Sequence, residues 1–463
     1  MERNDRIYNL VYEYYETRIL YGFYRLGDKL PSIPKICSLF CMAPATVRVA
    51  LTLLEKNGYI EVNARRVAQV IYQADTKQYI ANASQYFLPR KEGISDLYRC
   101  VGLFFKPMWD MGVSRLETGD IPVLLSEILR ADENVAAIPV QFYLRVLKKL
   151  NNGLILNLYW ELLRYIRFPY MSGFETRGIT ADDLAQCSRE EVIARIHQRC
   201  HSTFLESYDR LTSFIAQNSP DFPEELEKRV PFNWSIYRQR PQICYSLASR
   251  IIRKIIEGEY PIDTYLPSLP RMTEQLGVSL RTLRRTLSLL GSLGVTHSYQ
   301  GKGTLVCMDI SRLDFDQPGV REGLRLHLES LQMMALTIRP VCIYTLEHVS
   351  EECREDLIRQ FSTILHGQRS SYCFEVMLHF LSEHCPFQAV RNCYGELRDL
   401  LAWGYPFTLH RLKNRSLQSE YEAMIRQAAG YLDGKHWEAF AETWRLLFMQ
   451  EEQAMRCIFL EHV

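Results

Sequence analysis

The sequence predicts a mainly α fold with small β wings, laid out as two winged helix-turn-helix domains, each followed by an all-helical domain. Three observations carry that prediction. Residues 22–58 recur without a gap as residues 258–294, a shift of 236, with twelve of the 37 aligned positions identical. Each copy spaces its apolar residues for three short helices and then sets two β-prone runs around a turn. The long stretches at about 85–216 and 318–450 keep apolar residues at helical spacing.

In chain order, the first helix of each copy covers 7–20 and 243–256, and Gly22 and Gly258 stand where a C-terminal cap belongs. Leu30-Pro31-Ser32 and Leu266-Pro267-Ser268 make the following turn. Ser32 and Ser268 are placed to cap a second helix, with Pro34 and Pro270 in its first turn, where a missing N–H costs little. That helix ends near Phe40 and Leu276. The third helix starts after Ala43 and after Ser279, the serine being the better cap. In the second copy Leu283, Leu287 and Leu290 form an inward stripe that leaves Arg281, Arg284, Arg285 and Ser288 facing outward. Gly294 stops this helix, and runs 295–299 and 304–308 flank Gln300-Gly301-Lys302-Gly303 as a hairpin. The pattern divides the chain into domains at 1–75, 76–230, 237–308 and 309–463. Helix-breaking Asn218-Ser219-Pro220-Asp221-Phe222-Pro223 sets the meeting of the halves between 217 and 240. A weaker echo links 142–146 with 374–378, and Phe168-Pro169-Tyr170 with Tyr405-Pro406-Phe407.

A length of 463 residues exceeds one domain of roughly 150. Hydrophobic residues at 47% and charged residues at 24% describe a chain that buries cores, which excludes disordered and collagen-like classes. No apolar run approaches the roughly 20 residues of a membrane span, and Met1-Glu2-Arg3-Asn4-Asp5-Arg6 leads into no secretory segment. A cytoplasmic protein without a membrane partner is expected. Thirteen scattered cysteines with no CxxC pair fit free thiols rather than a disulfide framework.

The net charge of +1 conceals an uneven distribution. Residues 1–73 hold ten Lys or Arg against seven Asp or Glu, net +3, and residues 237–306 hold ten against four, net +6. The remainder is therefore −8, so positive charge concentrates in the elements that would approach a duplex and neutralise phosphates. An α-helix fits the major groove, and arginine offers a fork of donors to guanine edges or phosphates. The Gly301-Lys302-Gly303 tip suits the backbone or minor groove. In the first copy Ala45, Val49 and Thr52 stand where the second has Arg281, Arg285 and Ser288. That module is open to DNA contact, through Arg48 and Ala64-Arg65-Arg66-Val67, or to a structural role paired with protein.

With the Leu-Pro-Ser turn, the threonine-led third helix and the glycine-flanked wing in place, both copies resemble the DNA-binding domain of the GntR family of bacterial transcription regulators. The second does so through Leu266-Pro267-Ser268, Leu276-Gly277-Val278-Ser279, Thr282-Leu283-Arg284 and Gly301-Lys302-Gly303-Thr304. The first keeps Leu30-Pro31-Ser32 and Thr46-Val47-Arg48 but lacks the wing glycines. The resemblance implies a transcription regulator that binds double-stranded DNA sequence-specifically. It also implies modulation through the helical domains, by a small-molecule effector or a protein partner. The assembly implied is a homodimer or, with the plan present twice, an intramolecular pseudo-dimer covering two half-sites. Candidate DNA contacts are Ser32, Thr46, Arg48, Arg65 and Arg66 in the first copy. In the second they are Ser268, Arg271, Arg281, Thr282, Arg284, Arg285 and Lys302. The family's arginine on the second helix falls at Pro34 and Pro270, and the one opening the recognition helix at Pro44 and Leu280. Only the third is kept, at Arg48 and Arg284. The helical regions resemble the effector domain of the branch that responds to fatty and organic acids. Its metal-binding aspartate and histidine fall at Pro139 and Tyr143, and at Ser371 and Glu375, so no metal or other cofactor is expected.

Other chemistry finds little support. His197, Cys200 and His201 sit at i, i+3 and i+4 without a fourth ligand, and His379, His384, Cys385 and Cys393 match no zinc spacing. Tyr159, Trp160, Tyr165, Phe168, Trp403, Tyr405 and Phe407 serve helical cores, with a metabolite pocket as their other use. Neither GxGxxG nor a Walker A sequence occurs, and no catalytic triad can be assembled, so an enzyme is not expected. The alternative to a regulator is a non-catalytic interaction or scaffold protein built from degenerate regulator domains.

Overall fold

Apolar residues three and four apart build the first helix, α1 (Tyr8–Leu20), and turn Val11, Tyr12, Tyr15 and Ile19 to one side. They meet Ile36 of α2 (Ile33–Phe40) and Val47, Ala50, Leu51 and Leu54 of α3 (Pro44–Lys56) in a closed core. Strands β1 (Ile60–Glu61) and β2 (Gln69–Val70) pair antiparallel with Ile60 opposite Val70, and Lys29 bridges to Gln69. This computed structural model describes residues 8–40, 42–62, 67–117, 119–120, 137–167, 187–234, 243–367, 372–412 and 417–462. Two compact units divide the chain, Met1–Arg99 with Trp109–Phe232, and Cys100–Met108 with Asn233–Val463.

The helical part of the first unit starts at α4 (Thr76–Phe87), earlier than the apolar pattern places it, because Asp75 Oδ1 accepts the Gln78 N–H at 2.8 Å. Helices α5 (Lys91–Cys100), α6 (Lys106–Ser114), α7 (Ala137–Lys148) and α8 (Gly153–Ile166) follow, with Cys100 of α5 and residues 106–108 of α6 counted to the second unit. The first unit then adds α9 (Arg189–Asn218), opened by a Ser188–Glu191 capping box, and α10 (Pro223–Glu227). Arg164 of α8 grips Glu13 of α1 with two hydrogen bonds of 2.7 and 2.9 Å, and Arg167 donates to the Tyr21 hydroxyl at 2.6 Å. The three-helix module is thus tied to its own helical part by partly buried ionic contacts.

The second unit repeats the module with α11 (Ile243–Glu257), α12 (Leu269–Leu276), α13 (Leu280–Ser292), β3 (Thr296–Tyr299) and β4 (Gly303–Val306). Its bonds recur at the 236-residue shift. Leu30 N–H donates to Ala68 O at 2.8 Å, as Leu266 does to Thr304 O at 2.8 Å. Tyr59 N–H donates to Leu54 O at 3.0 Å, as Val295 does to Leu290 O at 2.9 Å. Thr296 faces Val306 as Ile60 faces Val70, and Tyr265 bridges Leu305 as Lys29 bridges Gln69. Gly294 has φ +71, and a Cβ there would lie 2.2 Å from the Asp309 carbonyl oxygen, so only glycine fits this helix stop.

Among the described residues, six α-helices complete the second unit: α14 (Pro318–His348), α15 (Glu351–His366), α16 (Cys373–His384), α17 (Gln388–Leu412), α18 (Leu417–Asp433) and α19 (Trp437–His462). Trp403, Trp444, Phe361, Phe407, Phe440 and Phe448 fill their core. Arg253 of α11 pairs with Asp399 of α17 and lies 3.9 Å from Glu375 of α16, and Trp403 Nε1 donates to the Tyr245 carbonyl at 3.1 Å. Among the described residues, no helix is long and apolar enough to cross a membrane.

Candidate nucleic-acid interface

Helix α13 is nucleated by Ser279, whose Oγ accepts the Thr282 N–H at 3.2 Å and lies 2.9 Å from the Thr282 hydroxyl. Capping therefore engages Thr282, which is half-buried. Leu283, Leu287 and Leu290 point into the core as their spacing predicts, and buried Thr286 returns its hydroxyl to the Thr282 carbonyl at 3.0 Å. Those contacts fix the rotation of the helix, leaving Arg281, Arg284, Arg285 and Ser288 exposed. Among the described residues, none of these three arginines pairs with a carboxylate. Arg253 and Arg398 are by contrast held by Asp399 and Glu375. An exposed guanidinium without an internal anion keeps its donors for an outside acceptor.

Arg271 on α12 is exposed, as is Lys302 at the wing tip, between Gly301 (φ +76) and Gly303 (φ +111). Ser268 occupies the N-cap position of α12 but makes no side-chain cap bond, contrary to expectation. Pro270, at the second helical position, lacks one of the N–H groups a cap would engage. The Ser268 hydroxyl remains exposed.

The first module presents a different face. Thr46 is half-buried, while Ser32, Ala45, Arg48 and Thr52 are exposed, and Val49 is 47% exposed. Helix α3 begins with Pro44 and has no side-chain cap at Ala43. Val62, following β1, and Val67, preceding β2, are also exposed. Arg65 and Arg66 lie outside the described residues.

The His197, Cys200 and His201 side chains part company in the fold. Cys200 is fully buried and its thiol is pushed up by that burial, His201 is exposed, and the half-buried His197 faces the Tyr143 ring at 6.2 Å. Tyr143 stacks on Trp109 at 4.3 Å, and Glu375 is held by Arg398 and Arg253, so neither residue at those family metal positions is turned to an ion. Among the described residues, no group of three His, Cys, Asp or Glu is placed to hold a metal. Tyr159, Trp403 and Phe407 are core residues, whereas Trp160, Tyr165 and Tyr405 are half-buried and Phe168 lies outside the described residues. A cleft of about 600 Å³ opens elsewhere in the first unit, lined by Tyr21, Phe23, Leu26, Tyr79, Ile80 and Phe214. Sequence reasoning missed it because three separate segments supply its walls.

A three-helix core, an antiparallel hairpin and a cationic third helix define a winged helix-turn-helix module. Residues 7–70 and 245–306 match the family model of bacterial regulatory proteins, gntR family, and both segments are homologous to regulator domains of that family. Among solved structures, Streptococcus agalactiae GntR is 16% identical, with 45% of this chain and 99% of that chain covered and a TM-score of 0.22. A transcriptional regulator GntR from Rhodococcus sp. RHA1 is 13% identical over 46% of this chain and 98% of that chain, with a TM-score of 0.26. A structure of Lar, described as controlling expression of the Listeria monocytogenes agr system, is 14% identical over 48% and 99%, with a TM-score of 0.19. No curated protein matches the chain.

Proposed function

We propose that the chain is a sequence-specific DNA-binding transcription regulator whose plan is used twice, so that one polypeptide covers two half-sites. The observation that carries this reading is the outer face of α13, where Arg281, Arg284 and Arg285 stand exposed without a carboxylate partner. Arg281, Arg284 and Arg285 serve base edges and phosphates; Ser268, Arg271, Thr282 and Lys302 hold the backbone. In the first module Arg48 is the cationic contact of α3, supported by Ser32, Thr46, Arg65 and Arg66. Recurrence of the same hydrogen bonds at a shift of 236 supports the duplication. The helical parts receive the regulatory input, as an effector in the cleft beside Tyr79 or as a protein partner.

Selection of bound duplexes from a random library by the full chain, at one stated salt concentration, tests this reading. It predicts an enriched, asymmetric operator and affinity that falls steeply with salt, with a logarithmic slope of about −0.9 per neutralised phosphate. Recovery without enrichment would overturn it. Exposed Val49, Val62 and Val67 favour a second reading for the first module alone, in which it docks a protein. Under that reading its disruption leaves the enriched sequence unchanged.

A further inference from the structure

We infer that the two winged modules read chemically different half-sites: the second a guanine-rich one through arginine forks, the first a thymine-rich one through an apolar helix face that packs on thymine methyl groups. The inference rests on the two-half-site reading above and adds to it the bases recognised.

The argument starts from equivalent placement. Helices α3 and α13 are both 13 residues long, and the bonds that tie each to its hairpin recur at a shift of 236. Both turn the same positions inward: Val47, Leu51 and Leu54 in one, Leu283, Leu287 and Leu290 in the other. Their outward faces therefore correspond residue by residue. Where α13 presents Arg281, Arg284 and Arg285, α3 presents Ala45, Arg48 and Val49. Ala45 is exposed, and Val49 is left 47% exposed.

The chemistry of the groove separates these faces. Guanine offers O6 and N7, a pair of acceptors that a guanidinium fork meets with two hydrogen bonds; thymine alone of the four bases offers a methyl group. A valine in place of Arg285 has no donor, so a guanine facing it loses its hydrogen bonds to water and gains none, a penalty that selects against guanine. Against a thymine methyl the same side chain buries apolar surface on both partners. Arg48 is the one cation retained, enough to anchor the helix without dictating guanine throughout. The net charges of +3 and +6 agree with weaker phosphate attraction in the first module.

Base analogues test the assignment on the full chain. The selected operator is remade with deoxyuridine for thymidine in one half at a time, which removes the methyl and keeps the pairing. It is also remade with 7-deazaguanine, which removes the N7 acceptor. Uracil in the half protected by the first module should weaken binding about fourfold per contacted methyl, and Val49→Ser should remove that sensitivity at the methyl Val49 covers. Val49 is surface-exposed, so the substitution leaves the core alone. Deazaguanine should cost about tenfold per contacted guanine, with the larger total loss in the other half, where three arginines stand against Arg48 alone, and Arg284→Ala or Arg285→Ala should remove part of that response. Two protected blocks with no response to uracil would overturn the methyl assignment while leaving the two-half-site reading intact. A single protected block that ignores Val49→Ser would overturn both.

Discussion

Acid should weaken the second helical region through one buried imidazole. His327 of α14 is 2% exposed, and burial pushes its pKa down to about 4 from an ordinary 6.5, opposed only in part by a hydrogen bond to the Leu400 backbone. Its Nδ1 has no partner, and the ring lies so close to α17 that a Cβ at Gly404 would sit 2.0 Å from Cε1. Protonation would bury a charge with no carboxylate paired to it among the described residues. The unfolded chain takes up this proton as pH falls through about 6.5, while the folded chain resists until about 4. The stabilisation is therefore complete above 6.5 and lost across the interval down to 4. At about 1.4 kcal/mol per pH unit, that interval amounts to roughly 3 kcal/mol. Urea unfolding at pH 7, 6, 5 and 4, for the natural chain and His327→Gln, measures it. The natural chain should lose roughly 3 kcal/mol more than the variant between pH 7 and 4. Parallel pH curves would refute the reasoning.

Arg284→Ala should weaken specific binding by about 1–3 kcal/mol and relax discrimination at one base pair, whereas Lys302→Ala should weaken all sequences alike and reduce the salt slope by about one; titrations on operator and scrambled duplexes at several salt concentrations distinguish the two. Glu13 and Arg164, paired at 2.7 Å, should show a coupling of about 1–3 kcal/mol in a double-mutant cycle read by unfolding, and additive single substitutions would deny the pair its role in joining α1 to α8. Gly404→Ala should destabilise the chain by about 1–3 kcal/mol by driving a methyl into the His327 ring, and pairing it with His327→Ala should recover part of that loss in a thermal melt.

Local chemistry in the sequence accounts for much of the winged modules. Leu283, Leu287 and Leu290 declared the inward face of α13, and Gly294 marks its end because a side chain would strike Asp309. The outward placement of Arg281, Arg284 and Arg285 follows from the same periodicity, so the exposed face of α13 is legible in the sequence. Contacts between distant segments are not. Glu13 meets Arg164 across 151 positions, and nothing in either neighbourhood signals the pairing. The start of α4 was hidden because Thr76-Lys77-Gln78 is polar and the cap at Asp75, not apolar periodicity, sets the boundary. Helical spacing at His197, Cys200 and His201 leaves burial open, and rotation about the axis buries one side chain and exposes another. Ser268 looked like a cap until its neighbour Pro270 is counted as a missing donor.

The central claim, that one chain covers two unlike half-sites, is tested most directly by footprinting the full chain on its selected operator beside two variants. One variant carries Arg48→Ala with Val49→Ser, and the other Arg284→Ala with Arg285→Ala; all four positions are exposed, so each disables one outer helix face without touching a core. The account predicts two separable protected blocks, each lost with its own module, and the greater loss of affinity for the second pair, in keeping with net charges of +6 and +3. A single short block, lost with Arg284 and Arg285 and indifferent to Arg48 and Val49, would contradict it.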